Sequence, residues 1–208
     1  MIQYLLFDVD NTLYPPTSGL LQQVDARINR FMADECGIDA DVVDEKRRAY
    51  RDAYGITLRG LMVECGVVPE EYIAYVHNVP VEALIRQDPV LDEALSRLSP
   101  EKSIFTNGPI EYSSRVLEAL GIRHHFSHIF DLRFLGFVGK PDPSAYRRVL
   151  AALGAPPQEC ALIEDSPRNL RPAKDLGMKT VLVGDGRCGW VDLHIRDISQ
   201  IHQVALVS

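Results

Sequence analysis

Long apolar runs, paired cysteines and an excess of basic charge are all missing from this chain of 208 residues. No stretch approaches the roughly 18 consecutive apolar residues of a membrane-spanning helix, so no membrane partner is expected. The start has no basic run followed by a long apolar stretch, so it does not read as a signal peptide. Cys36, Cys65, Cys160 and Cys188 form no CxxC pair and no histidine cluster accompanies them at zinc-finger spacing. Reduced thiols and a cytoplasmic location are therefore expected. Internal repeats and low-complexity tracts are absent too. Net charge is -7, which argues against nonspecific nucleic-acid binding and against anionic membrane surfaces. It does not exclude an anionic small substrate, because the local field of a pocket can oppose the net charge. Hydrophobic residues make up 46% and charged residues 25%, as in ordinary globular chains. The length suits one α/β domain with a smaller insert, as a monomer or a homodimer.

What is present begins with Tyr4-Leu5-Leu6-Phe7, a short apolar run that reads as a buried parallel strand. It ends in Asp8-Val9-Asp10-Asn11-Thr12-Leu13-Tyr14, and Asn11, Thr12 and then Pro15-Pro16 argue against its continuation as a strand. Two acids at the C-terminal end of a buried strand lie where open α/β sheets bind ligands. They repel each other unless something positive sits between them, and Mg2+ accepts such oxygen ligands. The octet by itself reads equally well as an Asx-type turn.

From Leu20 the period changes. Leu20, Leu21, Val24, Ile28, Phe31 and Met32 recur at helical spacing, with Thr17 or Ser18 as cap and Gly37 as stop. Further helices are expected over 41–54, with Val42, Val43, Ala49 and Tyr50 or Ala53 inward, and over 56–65 and 69–77. Residues 15–85 thus read as an all-helical insertion. Alternation then resumes. Helices are expected over 90–98, 111–120, 143–153 and 167–176, the last with an awkward Pro172. Strands are expected over 102–106, 126–130, 160–163 and 178–183. Such alternation predicts a doubly wound, Rossmann-like parallel sheet built from residues 1–14 and 86–208.

Polar groups close three of those strands: Asp8 and Asp10, then Thr106-Asn107-Gly108, then Glu164-Asp165-Ser166. A fourth cluster, Gly139-Lys140-Pro141-Asp142-Pro143, opens a helix. Singly these are a turn, a helix cap and a loop. Together they converge at one edge of a parallel sheet and make a kit for phosphoryl transfer. Carboxylates hold Mg2+, Thr106 and the N–H groups near Gly108 hold phosphate oxygens, and Lys140 supplies positive charge. An aspartate can be the nucleophile.

The ordered series resembles the four motifs of the haloacid dehalogenase-like phosphohydrolase superfamily across nearly the whole chain. The resemblance implies that Asp8 is the nucleophile and, with the Asp10 backbone carbonyl, a metal ligand. It implies that the Asp10 side chain protonates the leaving group and then activates water. Thr106 and the Asn107 N–H would hold the phosphoryl group and Lys140 would steady its charge. Asp165 would bind the metal directly, and Glu164 directly or through water. Dehalogenases of the superfamily lack a carboxylate at the Asp10 position, so the resemblance implies a phosphatase. The insertion over 15–85 looks like the superfamily's C1-type cap.

The run Tyr54-Gly55-Ile56-Thr57-Leu58-Arg59-Gly60-Leu61, with Tyr14 and Asn169, resembles the pyrimidine 5'-nucleotidase branch. That implies a small phosphorylated metabolite, a nucleotide, as partner. Tyr14 would stack on a base and Arg59 or Thr57 would reach polar substrate atoms. The alternatives are a phosphatase for phosphoglycolate or a sugar phosphate, a phosphomutase, and a non-catalytic binding protein. His124-His125 reads as a pair of solvated loop histidines.

Overall fold

A computed structural model of the chain describes residues 1–207 and the side chains of residues 1–203. Ser208, the last residue assigned to the core segment, lies outside the described residues. The strands are β1 (Tyr4–Phe7), β2 (Glu101–Phe105), β3 (His128–Phe130), β4 (Cys160–Glu164), β5 (Lys179–Val183) and β6 (Leu193–Ile195). They form one parallel sheet in the order β3-β2-β1-β4-β5-β6. β1 is central, and every residue from Leu5 to Phe7 is buried, as a strand covered on both faces must be. Two differences from the sequence reading concern this sheet. β3 is shorter than expected, because Arg123–His125 form a tight turn before it. β6 was not expected at all; with only Leu193, His194 and Ile195 it is too short to show a period. The helix expected over 167–176 forms as read and continues through Pro172, whose missing N–H costs the exposed Arg168 carbonyl one donor that water can replace.

The helices are α1 (Leu20–Asp34), α2 (Val43–Tyr54), α3 (Thr57–Cys65), α4 (Pro69–Val76), α5 (Val81–Leu84), α6 (Pro89–Ser96), α7 (Ile110–Leu120), α8 (Pro143–Leu153) and α9 (Pro167–Leu176). No strand interrupts residues 15–85. α1 joins two packing units. Its first turns, Leu20 and Val24, pack with Leu5, Phe7 and Val9 beneath the sheet. Phe31 and Met32 pack instead with Tyr50, Leu58, Leu61, Tyr72 and Val76. At the far end of the insertion Val79, Val81 and Ile85 return to the sheet's cluster. The expected caps shift by a residue or more. Thr17 and Ser18 lie in a tight turn, and Gly19 at φ +77° leads into α1, with Ser18 Oγ accepting from the Leu20 N–H at 3.3 Å. The helix stops at Asp34 rather than at Gly37.

On α2 the inward face is Val43, Arg47 and Tyr50, while Val42, Ala49 and Ala53 are exposed. Positions 43, 47 and 50 share one stripe at helical spacing, so an arginine stands where the sequence reading sought alanine. α2 and α3 approach closely at Gly60. A Cβ there would sit 2.5 Å from Tyr50 Cγ, and Tyr50 is itself buried. Gly60→Ala gains helix propensity of about 0.5–1 kcal/mol but must displace that ring, at about 1–3 kcal/mol. A net loss of stability is expected in urea titrations. An unchanged or higher midpoint would show that the cap repacks freely.

Candidate active site

The register of the sheet builds the site. Phe7 pairs with Ile104 on one side and Ile163 on the other. Asp8 is therefore level with Phe105 and Glu164, and Thr106 and Asp165 stand one residue beyond. Asn11, at φ +58°, turns the chain away after Asp10; asparagine tolerates this left-handed conformation better than most residues. The Leu13 N–H closes the turn on the Val9 carbonyl at 3.0 Å.

Lys140 ties these strand ends together. It is buried, and its ammonium donates to Asp8 Oδ1 at 2.7 Å, the Phe105 carbonyl at 2.8 Å and Glu164 Oε2 at 2.6 Å. Its three protons thus serve three adjacent strands. Burial works against the ammonium, but Asp8 and Glu164 outweigh it and carry its pKa to about 12. Burial and the charge of Glu164 push Asp8 up to about 6, against the pull of Lys140. Glu164 rises to about 7, chiefly through burial. Asp165 is raised as well, again through burial first.

Asp10 is held differently. The hydroxyls of Tyr14 and Tyr112 both donate to its Oδ1, Tyr112 at 2.7 Å. The other carboxylate oxygen has no partner among the described residues. Burial and nearby Asp8 raise Asp10 to about 6 despite both tyrosines. The acid is thus aimed by one oxygen and left free at the other.

The remaining expected residues divide. Asn107 Nδ2 donates to the Lys140 carbonyl at 2.9 Å, and its Oδ1 accepts from the Lys140 N–H at 2.8 Å. Its side chain is a clamp on the Lys140 loop, and its own N–H has no partner among the described residues. The Gly108 N–H, expected to bind phosphate, instead donates to Thr106 Oγ1 at 3.0 Å, the ordinary fate of an N–H two residues after a threonine hydroxyl. Tyr14 is buried at 2% exposure with its hydroxyl spent on Asp10, so its ring does not offer a face to a base. Arg59 faces a neighbouring cleft and pairs with Asp142 at 3.7 Å. Asn169 does line the cavity that Asp10 and Lys140 also line. His125 is not solvated as expected: it lies 2.7 Å from Asp92, with His124 at 3.3 Å from the same oxygen.

That cavity, of about 430 Å³, opens between the strand ends and the helical insertion. Asp10, Asn107 and Lys140 line its floor; Asp25, Arg47, Arg51, Thr57, Tyr72 and His77 come from the insertion. Sequence reasoning missed Tyr112 and the arginines. The signal for Arg47 was available, as a charge on the 43-47-50 stripe. Tyr112 had none, because only the fold brings the first turn of α7 to Asp10.

The oxygens left over suit a hard cation. Carboxylate oxygens of Asp8, Glu164 and Asp165 lie within 4.8 Å of one another. Glu164 is already engaged through both oxygens, by Lys140 and by the Ser166 N–H at 3.2 Å. The second oxygen of Asp8, the Asp10 carbonyl and the Asp165 carboxylate remain open among the described residues. That all-oxygen set fits Mg2+. Since Asp8 titrates near 6, protons compete with the cation below that pH. At about 100 times its Kd, Mg2+ is expected to stabilise the protein by ~2.7 kcal/mol, or about 5–10 °C in melting temperature, at pH 7.5. The shift should shrink at pH 5. A fluorimetric melt with no Mg2+ shift, or with a shift independent of pH, would count against this set.

A model of haloacid dehalogenase-like hydrolases matches residues 2–177. The chain belongs to that family. Phosphate metabolism protein 8 of Saccharomyces cerevisiae is 26% identical over 85% of this chain and 60% of its own length. The chain thus spans less than two thirds of that relative. Glyceraldehyde 3-phosphate phosphatase of Methanocaldococcus jannaschii is 25% identical over 90% of the chain and 87% of its own. Among solved structures, the L-2-haloacid dehalogenase of Xanthobacter autotrophicus superposes with a TM-score of 0.66 at 16% identity, covering 99% of both chains. This haloacid dehalogenase-like chain therefore shares its fold with a dehalogenase, and the fold alone does not choose the reaction.

Proposed function

We propose that the protein is a Mg2+-dependent phosphomonoester hydrolase that works through an aspartyl-phosphate on Asp8. The observation that carries this reading is the setting of Asp10. A halide leaving group needs no proton, whereas an ester oxygen does. Asp10 is a carboxyl oriented by two tyrosines, open at one oxygen to the cavity, with a pKa of about 6. That value suits a group that must give a proton and take one back near neutral pH. The phosphatase name of the archaeal relative supports the same choice.

In this reading Asp8 attacks phosphorus while Asp10 protonates the departing oxygen. Asp10 then takes a proton from the water that attacks the aspartyl-phosphate. Thr106 Oγ1 and the free Asn107 N–H face the transferring oxygens. Lys140 holds Asp8 ionised and fixed between two neighbouring strands. Bound to Asp8, Asp165 and the Asp10 carbonyl, Mg2+ would neutralise charge on the phosphoryl group.

The substrate is a small phosphorylated metabolite that fits the cavity. A pyrimidine nucleoside 5'-monophosphate is the finer expectation from sequence. Asn169 supports it from the cavity wall, while Tyr14 and Arg59 are engaged elsewhere. A phosphomutase needs an acid–base group from the insertion. His77 is the histidine that lines the cavity, and burial pulls it down to about 4, far from that task. Phosphate release from CMP, UMP, phosphoglycolate and sugar phosphates, with Mg2+ and with EDTA, tests the reading. Release from none of them would end it, and a flat profile would end the nucleotide assignment alone.

A further inference from the structure

Beyond its catalytic floor the cavity is lined by more basic than acidic groups, although the chain's net charge is -7. Of the charged groups that line the cavity, Asp10 and Lys140 belong to the catalytic floor. The rest are Arg47, Arg51 and Arg168 against a single acid, Asp25. Arg47 is spent on the fold. Its guanidinium bonds Asp25 Oδ1 at 2.5 Å and Asn29 Oδ1 at 2.8 Å, which fixes α2 against α1. Yet its Nε is buried without a partner, on a side chain only 9% exposed. That Nε is sealed from the cavity, so Arg47 adds fixed positive charge to the wall and no donor to a ligand.

Arg51 lies one turn further along α2 and has the opposite character. Its guanidinium makes no hydrogen bond or ion pair among the described residues. Burial and the charges of Arg47 and Arg168 disfavour its charged form, against the pull of the more distant Asp25 and Asp52 carboxylates, neither of which pairs with it. Arg168, in the first turn of α9, is drawn in beside it by a bond from its Nη2 to the Arg51 carbonyl at 2.5 Å, and its other nitrogen reaches exposed Asp52 at 3.4 Å. Structural arginines are paired. A half-buried, unpaired guanidinium held between two others is a place for an anion, and the planar fork suits carboxylate and phosphate.

We propose that Arg51, with Arg168 beside it, forms an anion subsite on the cavity wall that α2 and α9 contribute. The substrate is then a small phosphomonoester that carries a second anionic group, a carboxylate or a second phosphate; a pyrimidine nucleoside 5'-monophosphate has none, so the subsite favours the other small phosphomonoesters over the nucleotide. The inference rests on the phosphatase reading for the identity of the first group.

Matched substrate pairs test it. The acid member is 3-phosphoglycerate against glycerol 3-phosphate, or fructose 1,6-bisphosphate against fructose 6-phosphate. The second anion is expected to raise kcat/KM on the order of 10- to 100-fold, mainly through KM, as one charged hydrogen-bonded pair does. The better pair tells carboxylate from phosphate. Arg51→Gln should bring the ratio to within threefold of one, and Arg51→Lys should restore part of it. Melting temperature checks that both variants fold. Ratios near one in the wild type, or ratios unmoved by Arg51→Gln, overturn the subsite while leaving the phosphatase. If no ester is hydrolysed, the catalytic reading fails, and calorimetry still decides the subsite. Tighter binding of 3-phosphoglycerate than of glycerol 3-phosphate, lost in Arg51→Gln, supports it; equal binding overturns it.

Discussion

Asp8→Asn is expected to lower phosphate release by about 10⁴-fold or more while leaving the melting temperature unchanged or higher. The two parts of the result come from different physics. Asparagine is close in shape to aspartate and keeps an oxygen for the Lys140 ammonium, which lies 2.7 Å from Asp8. It removes one of three buried acids that lie together at the strand ends, and so relieves repulsion in the metal-free protein. What it cannot do is form the acyl phosphate. Acid-quenched wild type should trap phosphate on Asp8, and the variant should trap none. A variant that keeps a tenth of the activity would sink the nucleophile assignment, whatever became of the fold.

Lys140→Met should do the reverse and damage both. The methionine fills similar volume, but Asp8 and Glu164 lose their shared cation. Removing one partner of a buried ion pair costs about 3–5 kcal/mol. The loss has a pH signature. Both carboxyls already sit above their ordinary values, at about 6 and about 7, and without Lys140 they move higher. An acid whose folded pKa is raised binds more protons folded than unfolded, so stability falls as pH rises through that pKa. The destabilisation measured by urea titration in EDTA should therefore be larger at pH 8 than at pH 5. Lys140 itself contributes nothing to that slope, since its folded pKa of about 12 lies outside the window. A loss that is equal at the two pH values would mean that the variant fails through packing rather than charge.

The outline of this site was legible because it is written in short spacings. Asp8 and Asp10 end one strand, Thr106 and Asn107 another, and Glu164 and Asp165 a third, and parallel pairing does the rest. What stayed hidden was how each group is used. Asn107 was expected to face substrate through its backbone, and its side chain proved to be a brace for Lys140. Tyr14 follows Asp10 by four residues and was expected to meet a base; the tight turn at Asn11 folds it back onto Asp10 instead. Arg59 stands one residue from the buried Leu58 and Gly60, yet it points into the next cleft. A helical period gives the face of such a residue only to within a fraction of a turn, which is too coarse to tell two adjoining clefts apart. Arg51 and Arg168 come from helices far apart in the chain, and nothing local announces that they meet.

The strand order also sets a schedule for synthesis. β1 is made early and ends central, between β2 and β4, whose residues come about 95 and 155 positions later. At typical elongation rates the nucleophile's strand waits roughly 10–30 seconds for its second neighbour. During that time α1 to α4 can already pack on one another, because their contacts are local. The helical insertion is thus free to form on the ribosome before the sheet beneath it closes. While β1 waits, an apolar strand with two open edges needs shelter, from the exit tunnel or from a chaperone.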